Sequence, residues 1–341
     1  MKAVRVEADG SVAVADLPEP EIGAGEALMA TRVAGICGSD LLDWYVRRKA
    51  GSVLGHEIAG VIRAVGPGVT EFRVGERVVP HHHAPCLSCA ACAAGRFVHC
   101  EEWRLSRLDP GGMAELVRIP AGNLARDTLK IPEGVSDEEA SFIEPLATVV
   151  KAFRRARISK GQSLLVVGLG PAGQLAIRLG RAGGAARIVG ADRVASRLAA
   201  ASASTSGADA VIDVSRQPLA EGARAVAPGG FDVVFVCPGK REAVAEAARA
   251  VAAGGTLLLF TMAPPGETWN ADLFDLYFRE VTVLPSYSCG PDDTSEALGR
   301  IARREVRVAD LVSHRFPVGD SVEAFARARA LEGSMKVAIT F

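Results

Sequence analysis

Cys37, His56 and Glu144 are side chains of the right types to hold one metal ion with a coordination position left open. Cys37 stands in Cys37-Gly38-Ser39-Asp40 after an apolar strand, and His56 follows nineteen residues later in Gly55-His56-Glu57. A soft thiolate and an imidazole make two ligands for zinc, and a catalytic zinc takes a third plus an open position. Apart from a cluster of four at 86–100, the remaining cysteines, Cys237 and Cys289, fall in the nucleotide-binding half of the chain and are not expected to serve. The third ligand is therefore expected to be a carboxylate, and Glu144 in Ile143-Glu144-Pro145-Leu146 sits where the chain changes character. Zinc at such a site supplies Lewis acidity to an alcohol oxygen.

A second metal signal is more specific. Cys86-x2-Cys89-x2-Cys92-x7-Cys100 packs four thiols into fifteen residues. Four thiolates at that spacing close tetrahedrally on one ion, and a full set of four is the pattern of a structural zinc. The competing reading is an iron–sulfur cluster, but ferredoxin spacing ends C-x3-C-P, and here the last gap is seven with no proline after Cys100. A chance gathering of buried thiols fits poorly, because the loop is rich in Ala, Ser and Gly and has no core of its own. His81-His82-His83 stand just ahead of the cluster. Consecutive side chains on a strand alternate faces, so all three cannot chelate one ion; a polar strand end is expected, with one of them a candidate to line the active site. His99 and His314 stand alone and are expected to be structural.

The stretch from Leu164 to Gly173, LLVVGLGPAG, carries a different chemistry. Four apolar residues run into Gly168-x-Gly170-Pro171-Ala172-Gly173, and a helical pattern follows at once. A buried strand turning sharply into a helix aims backbone N–H groups and a helix dipole at one point, a ready site for a pyrophosphate. The next apolar run ends on Asp192, nineteen positions beyond Gly173. An acidic side chain at about that distance accepts the adenosine ribose hydroxyls of a dinucleotide. Asp192 argues for NAD over NADP, since a 2′-phosphate would meet a carboxylate, while Arg193 beside it is a guanidinium able to take that phosphate.

These residues need elements to position them. At 341 residues the chain exceeds what one core spans, so two domains are expected. Short strands punctuated by Gly and Pro at 3–7, 27–34, 57–65, 77–80 and 113–119 suggest a small barrel-like β domain. A helical pattern covers 136–152. Strand candidates at 164–168, 186–191, 210–213, 231–236, 255–260 and 281–284 then alternate with helical stretches, the signature of a parallel, doubly wound sheet. The tail holds helices at 293–304 and 322–330 and a strand at 336–340, and is expected to return to the first domain. The boundaries expected are 1–147 with 288–341 for the catalytic domain and its zinc lobe at about 84–102, and 148–287 for the dinucleotide domain.

Bulk properties narrow the function. With 39 basic and 40 acidic residues the net charge is −1, which gives nucleic acid no basic face to meet. The longest apolar runs fall well short of the roughly 20 residues a membrane helix needs. MKAVRVEADG has no apolar signal core, and an odd count of seven cysteines suits metal binding in a reducing cytoplasm.

Taken together, CGSD, GHE, the four-Cys lobe, GGMAE, EPLA, GLGPAG and Asp192 resemble the zinc-dependent medium-chain alcohol dehydrogenases, in their sorbitol/threonine dehydrogenase-like branch. The resemblance spans nearly the whole chain. It implies a GroES-like β-barrel catalytic domain, an inserted Rossmann domain, and dimers or tetramers paired through a Rossmann edge strand at Val281–Leu284. Carried over by position, Cys37, His56 and Glu144 would ligate the catalytic zinc, with Glu57 as an alternate ligand. Ser39 would hydrogen-bond the substrate oxygen and pass its proton outward. Asp40 would orient His56, and Thr148 would pack beside the nicotinamide. The chain departs from the family pattern after CGSD, where Leu41-Leu42-Asp43-Trp44-Tyr45 leaves the proton route beyond Ser39 open to Asp43, Tyr45 or Lys49. The expected activity is interconversion of a secondary alcohol (polyol, sugar, cyclitol or amino alcohol) and its ketone with NAD. The alternatives are an NADP-dependent carbonyl or enone reductase of the same fold and a non-catalytic nucleotide-binding protein.

Overall fold

A computed structural model describes residues 1–203 and 207–341. The chain divides into two units, Met1–Ala147 with Ser288–Phe341, and Thr148–Tyr287. The first unit begins with β1 (Lys2–Val6) and β2 (Val12–Asp16), an antiparallel pair. Next come β3 (Ala27–Gly35), β4 (Glu57–Val65), β5 (Arg77–Pro80), β6 (Leu116–Ile119) and β7 (Thr128–Lys130). Its long strand β3 alternates buried Ala27, Met29 and Thr31 with more exposed neighbours, the period-2 pattern of a sheet with one face in a core. Two register shifts against β4, at Leu28/Met29 and Thr31/Val33, bend this strand in the way bulges bend barrel strands.

The second unit supplies β8 (Ser163–Val167), β9 (Arg187–Asp192), β10 (Ala210–Asp213), β11 (Phe231–Val236), β12 (Val251–Leu259) and β13 (Thr282–Pro285). All are parallel, in the order β10-β9-β8-β11-β12-β13. Counted from the first strand this is 3-2-1-4-5-6, the doubly wound dinucleotide-binding order. Leu164, Leu165, Val166 and Val167 are all buried, because helices cover both faces of such a sheet. The chain then returns to the first unit as β14 (Val312–Pro317) and β15 (Lys336–Thr340), and β15 pairs antiparallel with β3. Met29, Ile58, Ile62, Met113, Ile119 and Ile339 meet in the core of that sheet.

Several elements differ from the sequence expectation. β2, β7 and β14 have no counterpart in it; β2 and β7 hold no buried residue, and β14 buries only Val312 at its start. The helical pattern over 136–152 is two helices, Asp137–Ala140 and Ile143–Ala156, with Ser136 capping the first through a capping box with Glu139. β6 starts at Leu116 rather than Met113. β12 starts at Val251, four residues before the expected strand, and runs through Gly254-Gly255; its register against β11 shifts there, so the glycines mark a bulge and not a turn. Among the described residues no helix is long and apolar enough to cross a membrane.

Candidate active site

Strand register explains why residues nineteen positions apart converge. β3 and β4 are antiparallel with Gly35 opposite Glu57, so Cys37, just past the end of β3, and His56, just before β4, stand side by side. Gly55 holds a φ of +98°, and a Cβ there would collide with the Met113 backbone, so the turn that aims His56 demands glycine. Ligand atoms of Cys37, His56 and Glu57 lie within 4.8 Å of one another. Gly35 leaves the room that the Glu57 carboxylate occupies; a Cβ there would overlap it. Ser39 donates its hydroxyl to the Cys37 sulfur at 3.3 Å. Asp40 is fully buried, 4.0 Å from His56 Nδ1 and 3.5 Å from Lys49 Nζ.

The charge in this region is lopsided. Burial works against a charged His56, yet the Cys37 sulfur, Asp40 and Glu144 overcome it and hold the imidazole pKa well above its usual value. Burial pushes the Glu144 carboxyl up, with Glu57 adding to the effect. Burial also opposes the Lys336 ammonium, but the charges of Glu57 and Cys37 raise its pKa all the same. Lys336 pairs with Glu57 and donates to the Ile36 carbonyl at 3.2 Å. A thiolate, an imidazole and excess buried carboxylate form a donor set that fits Zn²⁺ in chemistry and in charge.

Glu144, in the first turn of the helix Ile143–Ala156, comes together with His81 and His82, ligand atoms again within 4.8 Å. The three histidines do not continue β5, which ends at Pro80; the chain bends at His82, so strand alternation does not govern them. His81 Nδ1 meets Asp127 at 2.7 Å, and Asp127 also accepts from Thr294. Cys289, placed by sequence with the later half, belongs to the first unit, its sulfur 3.5 Å from His81 Nε2. Nothing in the sequence marks Asp127 and Cys289 as partners of His81, or Lys336 as the partner of Glu57, since long-range pairing alone brings them there. Thr148 stands one turn after Glu144 on the same helix, where residues four apart share a face.

Cys86, Cys89, Cys92 and Cys100 form a second set, all four sulfurs within 4.8 Å of one another and none in a disulfide. Two sulfur pairs measure 3.5 and 3.9 Å, close to the roughly 3.8 Å that tetrahedral Zn–S bonds of about 2.3 Å require. Hydrogen bonds from Ser88 and the Cys89 N–H bring the Cys86 thiol down to about 6, whereas burial pushes Cys92 up to about 12. The four donors fit a structural zinc.

In the second unit, β8 passes through Gly168 (φ +87°) into the helix Pro171–Ala182, which has Gly170 as N-cap and Pro171 at its first position. Ala172 follows in that first turn, and a Cβ on Gly173 would overlap the Gly168 carbonyl oxygen. Asp192 ends β9, accepting from Leu169 N at 2.6 Å, Arg193 N at 2.7 Å and Val194 N at 2.9 Å. It therefore ties the glycine turn to its own strand end, a task the spacing argument did not reveal. The Arg193 side chain is exposed; the guanidinium beside the turn is that of Arg197, 3.5 Å from where a Cβ on Gly170 would lie.

Residues 23–133 match the family model for the alcohol dehydrogenase GroES-like domain, and residues 171–303 match that for zinc-binding dehydrogenases. The chain belongs to the zinc-dependent medium-chain alcohol dehydrogenases. Sorbitol dehydrogenase of Rattus norvegicus is 32% identical across 95% of this chain and 91% of its own length. A D-xylulose reductase A of Neosartorya fischeri is 30% identical across 93% and 90%. Among solved structures, a zinc-binding dehydrogenase of Sinorhizobium meliloti 1021 bound to NADP superposes with a TM-score of 0.89, at 28% identity over 100% of this chain and 99% of that one. This medium-chain dehydrogenase is thus an oxidoreductase acting on CH–OH donors, with zinc and NAD(P) as cofactors.

Proposed function

We propose that this dehydrogenase oxidises a secondary hydroxyl of a polyol or a related sugar, cyclitol or amino alcohol to the ketone, with NAD as the preferred acceptor. The observation that carries the reading is the convergence of Cys37, His56 and the Glu57 carboxylate at the ends of β3 and β4, with Glu144 among the carboxylates that act on His56. In this reading Cys37, His56 and Glu144 hold the catalytic zinc, and Glu57 is the ligand that exchanges with it. Cys86, Cys89, Cys92 and Cys100 hold the structural zinc. Once bound, zinc supplies Lewis acidity toward the substrate oxygen.

Ser39 would accept the hydroxyl proton and hand its own outward, and NAD⁺, when bound, would supply the two-electron acceptor for the carbinol hydrogen, so that two electrons and one proton are accounted for. Asp40 holds the imidazole of His56 in orientation, as carboxylates do for metal-bound histidines. Gly168, Gly170, Pro171, Ala172 and Gly173 seat the pyrophosphate, Asp192 accepts the ribose hydroxyls, and Thr148 packs at the nicotinamide. The unit Met1–Ala147 with Ser288–Phe341 performs the alcohol chemistry, and Thr148–Tyr287 holds the dinucleotide. The chain works as a homo-oligomer in the cytoplasm, paired through the β13 edge.

The test combines metal analysis with NADH formation over a panel of polyols and simple secondary alcohols. Two zincs per chain and polyol-dependent NADH formation are expected. Cys37→Ala should lose one zinc and at least about 1000-fold in kcat/KM while keeping its fold and the other zinc. Undiminished turnover in that variant refutes the site.

A further inference from the structure

The three consecutive histidines do three different things. His81 is fastened through Nδ1 to Asp127 and has the Cys289 thiol at Nε2, while its carbonyl accepts from Asn123. His83 holds the Ser106 carbonyl through Nδ1 at 2.9 Å and lies tilted against Trp103, ring centroids 4.0 Å apart. His82, at the bend between these anchors, has a buried Nδ1 with no hydrogen-bond partner among the described residues. A buried ring nitrogen of that kind is costly to keep unless a bound group completes it. The place is not arbitrary. The His82 ring lies 5.0 Å from the His56 ring, and one of its nitrogens lies within 4.8 Å of a Glu144 carboxylate oxygen.

Two polar atoms at that separation can both be reached by a single oxygen at about 2.8 Å from each. A metal ion between His81, His82 and Glu144 is disfavoured, because both ring nitrogens of His81 already have partners. A hydroxyl suits the spot, since an imidazole offers it either an N–H or a lone pair. We propose that His82 is a specificity-determining residue that hydrogen-bonds a hydroxyl on the carbon adjacent to the one oxidised, so that the site selects vicinal diols over simple secondary alcohols. The inference rests on the reading of Cys37, His56 and Glu144 as the alcohol-binding metal set. Anchored neighbours on both sides fix the bend, so the ring is held in place before substrate arrives. Sites built to hydrogen-bond a hydroxyl reject the analogue that lacks it far more strongly than apolar pockets reject an extra one.

The experiment compares kcat/KM for xylitol and 2,3-butanediol with that for 2-butanol, in the wild type, His82→Phe and His82→Gln. Zinc content and NADH affinity by fluorescence are measured alongside. The wild type should favour the diols by about 100-fold or more. His82→Phe should lower that preference roughly 10- to 100-fold, the range one buried hydrogen bond carries, and His82→Gln should restore part of it. Both variants should keep two zincs and wild-type NADH affinity, which separates specificity from folding. A diol preference unchanged in His82→Phe overturns the proposal, and so does the loss of one zinc in both variants, which would make His82 a metal ligand. A wild type that binds zinc and NADH but oxidises no alcohol sinks the underlying function as well. One that oxidises diols and 2-butanol equally sinks this inference alone.

Discussion

Lys336 and Glu57 each expose only 3% of their side chains, and they neutralise each other beside the metal ligands. Removing one member of such a pair leaves a buried charge without compensation, which typically costs about 3–5 kcal/mol. Lys336→Met should therefore lower the midpoint of thermal unfolding by several degrees. Glu57→Gln combined with Lys336→Met should recover most of the loss, because the stranded charge is gone. Calorimetry on the single and double variants reads the coupling directly, and a double variant as unstable as Lys336→Met argues that the loss comes from packing instead. The lysine also competes with any metal for Glu57, so zinc content should be followed in the same proteins. Cys37 and His56 were legible in the sequence because each abuts a strand, and strand register alone brings them together. Lys336 was not, because it stands 279 positions from Glu57 and its sequence neighbours are ordinary. Which of His81, His82 and His83 faces the metal ligands was not legible for a local reason: the alternation argument assumed a strand, and the chain bends at His82.

At the scale of elements, the strand–turn–helix at Gly168–Gly173 separates two jobs that a glycine can do. Gly173 sits where any Cβ overlaps the Gly168 carbonyl, so Gly173→Ala must push the helix Pro171–Ala182 off β8. Gly170 meets only the far end of Arg197, so Gly170→Ala should fold normally. A methyl there stands in the way of backbone approach to phosphate. Both variants should lose NADH binding, by about tenfold or more, but only Gly173→Ala should lose several degrees of thermal stability. Equal stabilities would mean the turn can relax around a methyl group. The strand-to-helix character of this turn could be read directly, since four apolar residues and the glycine spacing are local signals. The bond that Asp192 accepts from Leu169 N could not, because it depends on how β8 and β9 lie together.

The capping box at Ser136 lends itself to a pH test. Burial works against the charged form of Glu139, but hydrogen bonds from Ser136 and the Arg304 guanidinium outweigh it and lower its pKa below the usual 4.5. A carboxyl depressed in the folded state contributes stability above its unfolded pKa and loses it as pH falls through the folded value. Glu139→Gln should thus cost about 1 kcal/mol near neutrality, with the gap to wild type closing below about pH 4. Thermal midpoints measured from pH 7 down to pH 3 check this, and a gap that stays constant would rule out the charge as its source.

At the scale of the whole molecule, β13 is the last strand of the parallel sheet, so one of its backbone edges has no neighbouring strand among the described residues. The helix just ahead of it, Leu273–Phe278, carries Leu273, Phe274, Tyr277 and Phe278, each at least 67% exposed, and Tyr287 beyond the strand is exposed too. Three large aromatics on one short helix are far more apolar surface than a lone chain leaves to water, and they adjoin a strand edge open to pairing. A two-fold partner, aligning β13 against its own copy, would cover both features with one self-complementary patch. The protein should then run as a dimer, or as a tetramer built from such dimers, with a melting temperature that rises with concentration. Introducing Phe274→Glu together with Tyr277→Glu places two charges in the centre of that patch. It should weaken association at least about 100-fold, which corresponds to roughly 2.7 kcal/mol. Light scattering coupled to size exclusion would show a monomer at micromolar concentration, and a variant that keeps the wild-type mass would place the interface elsewhere on the molecule.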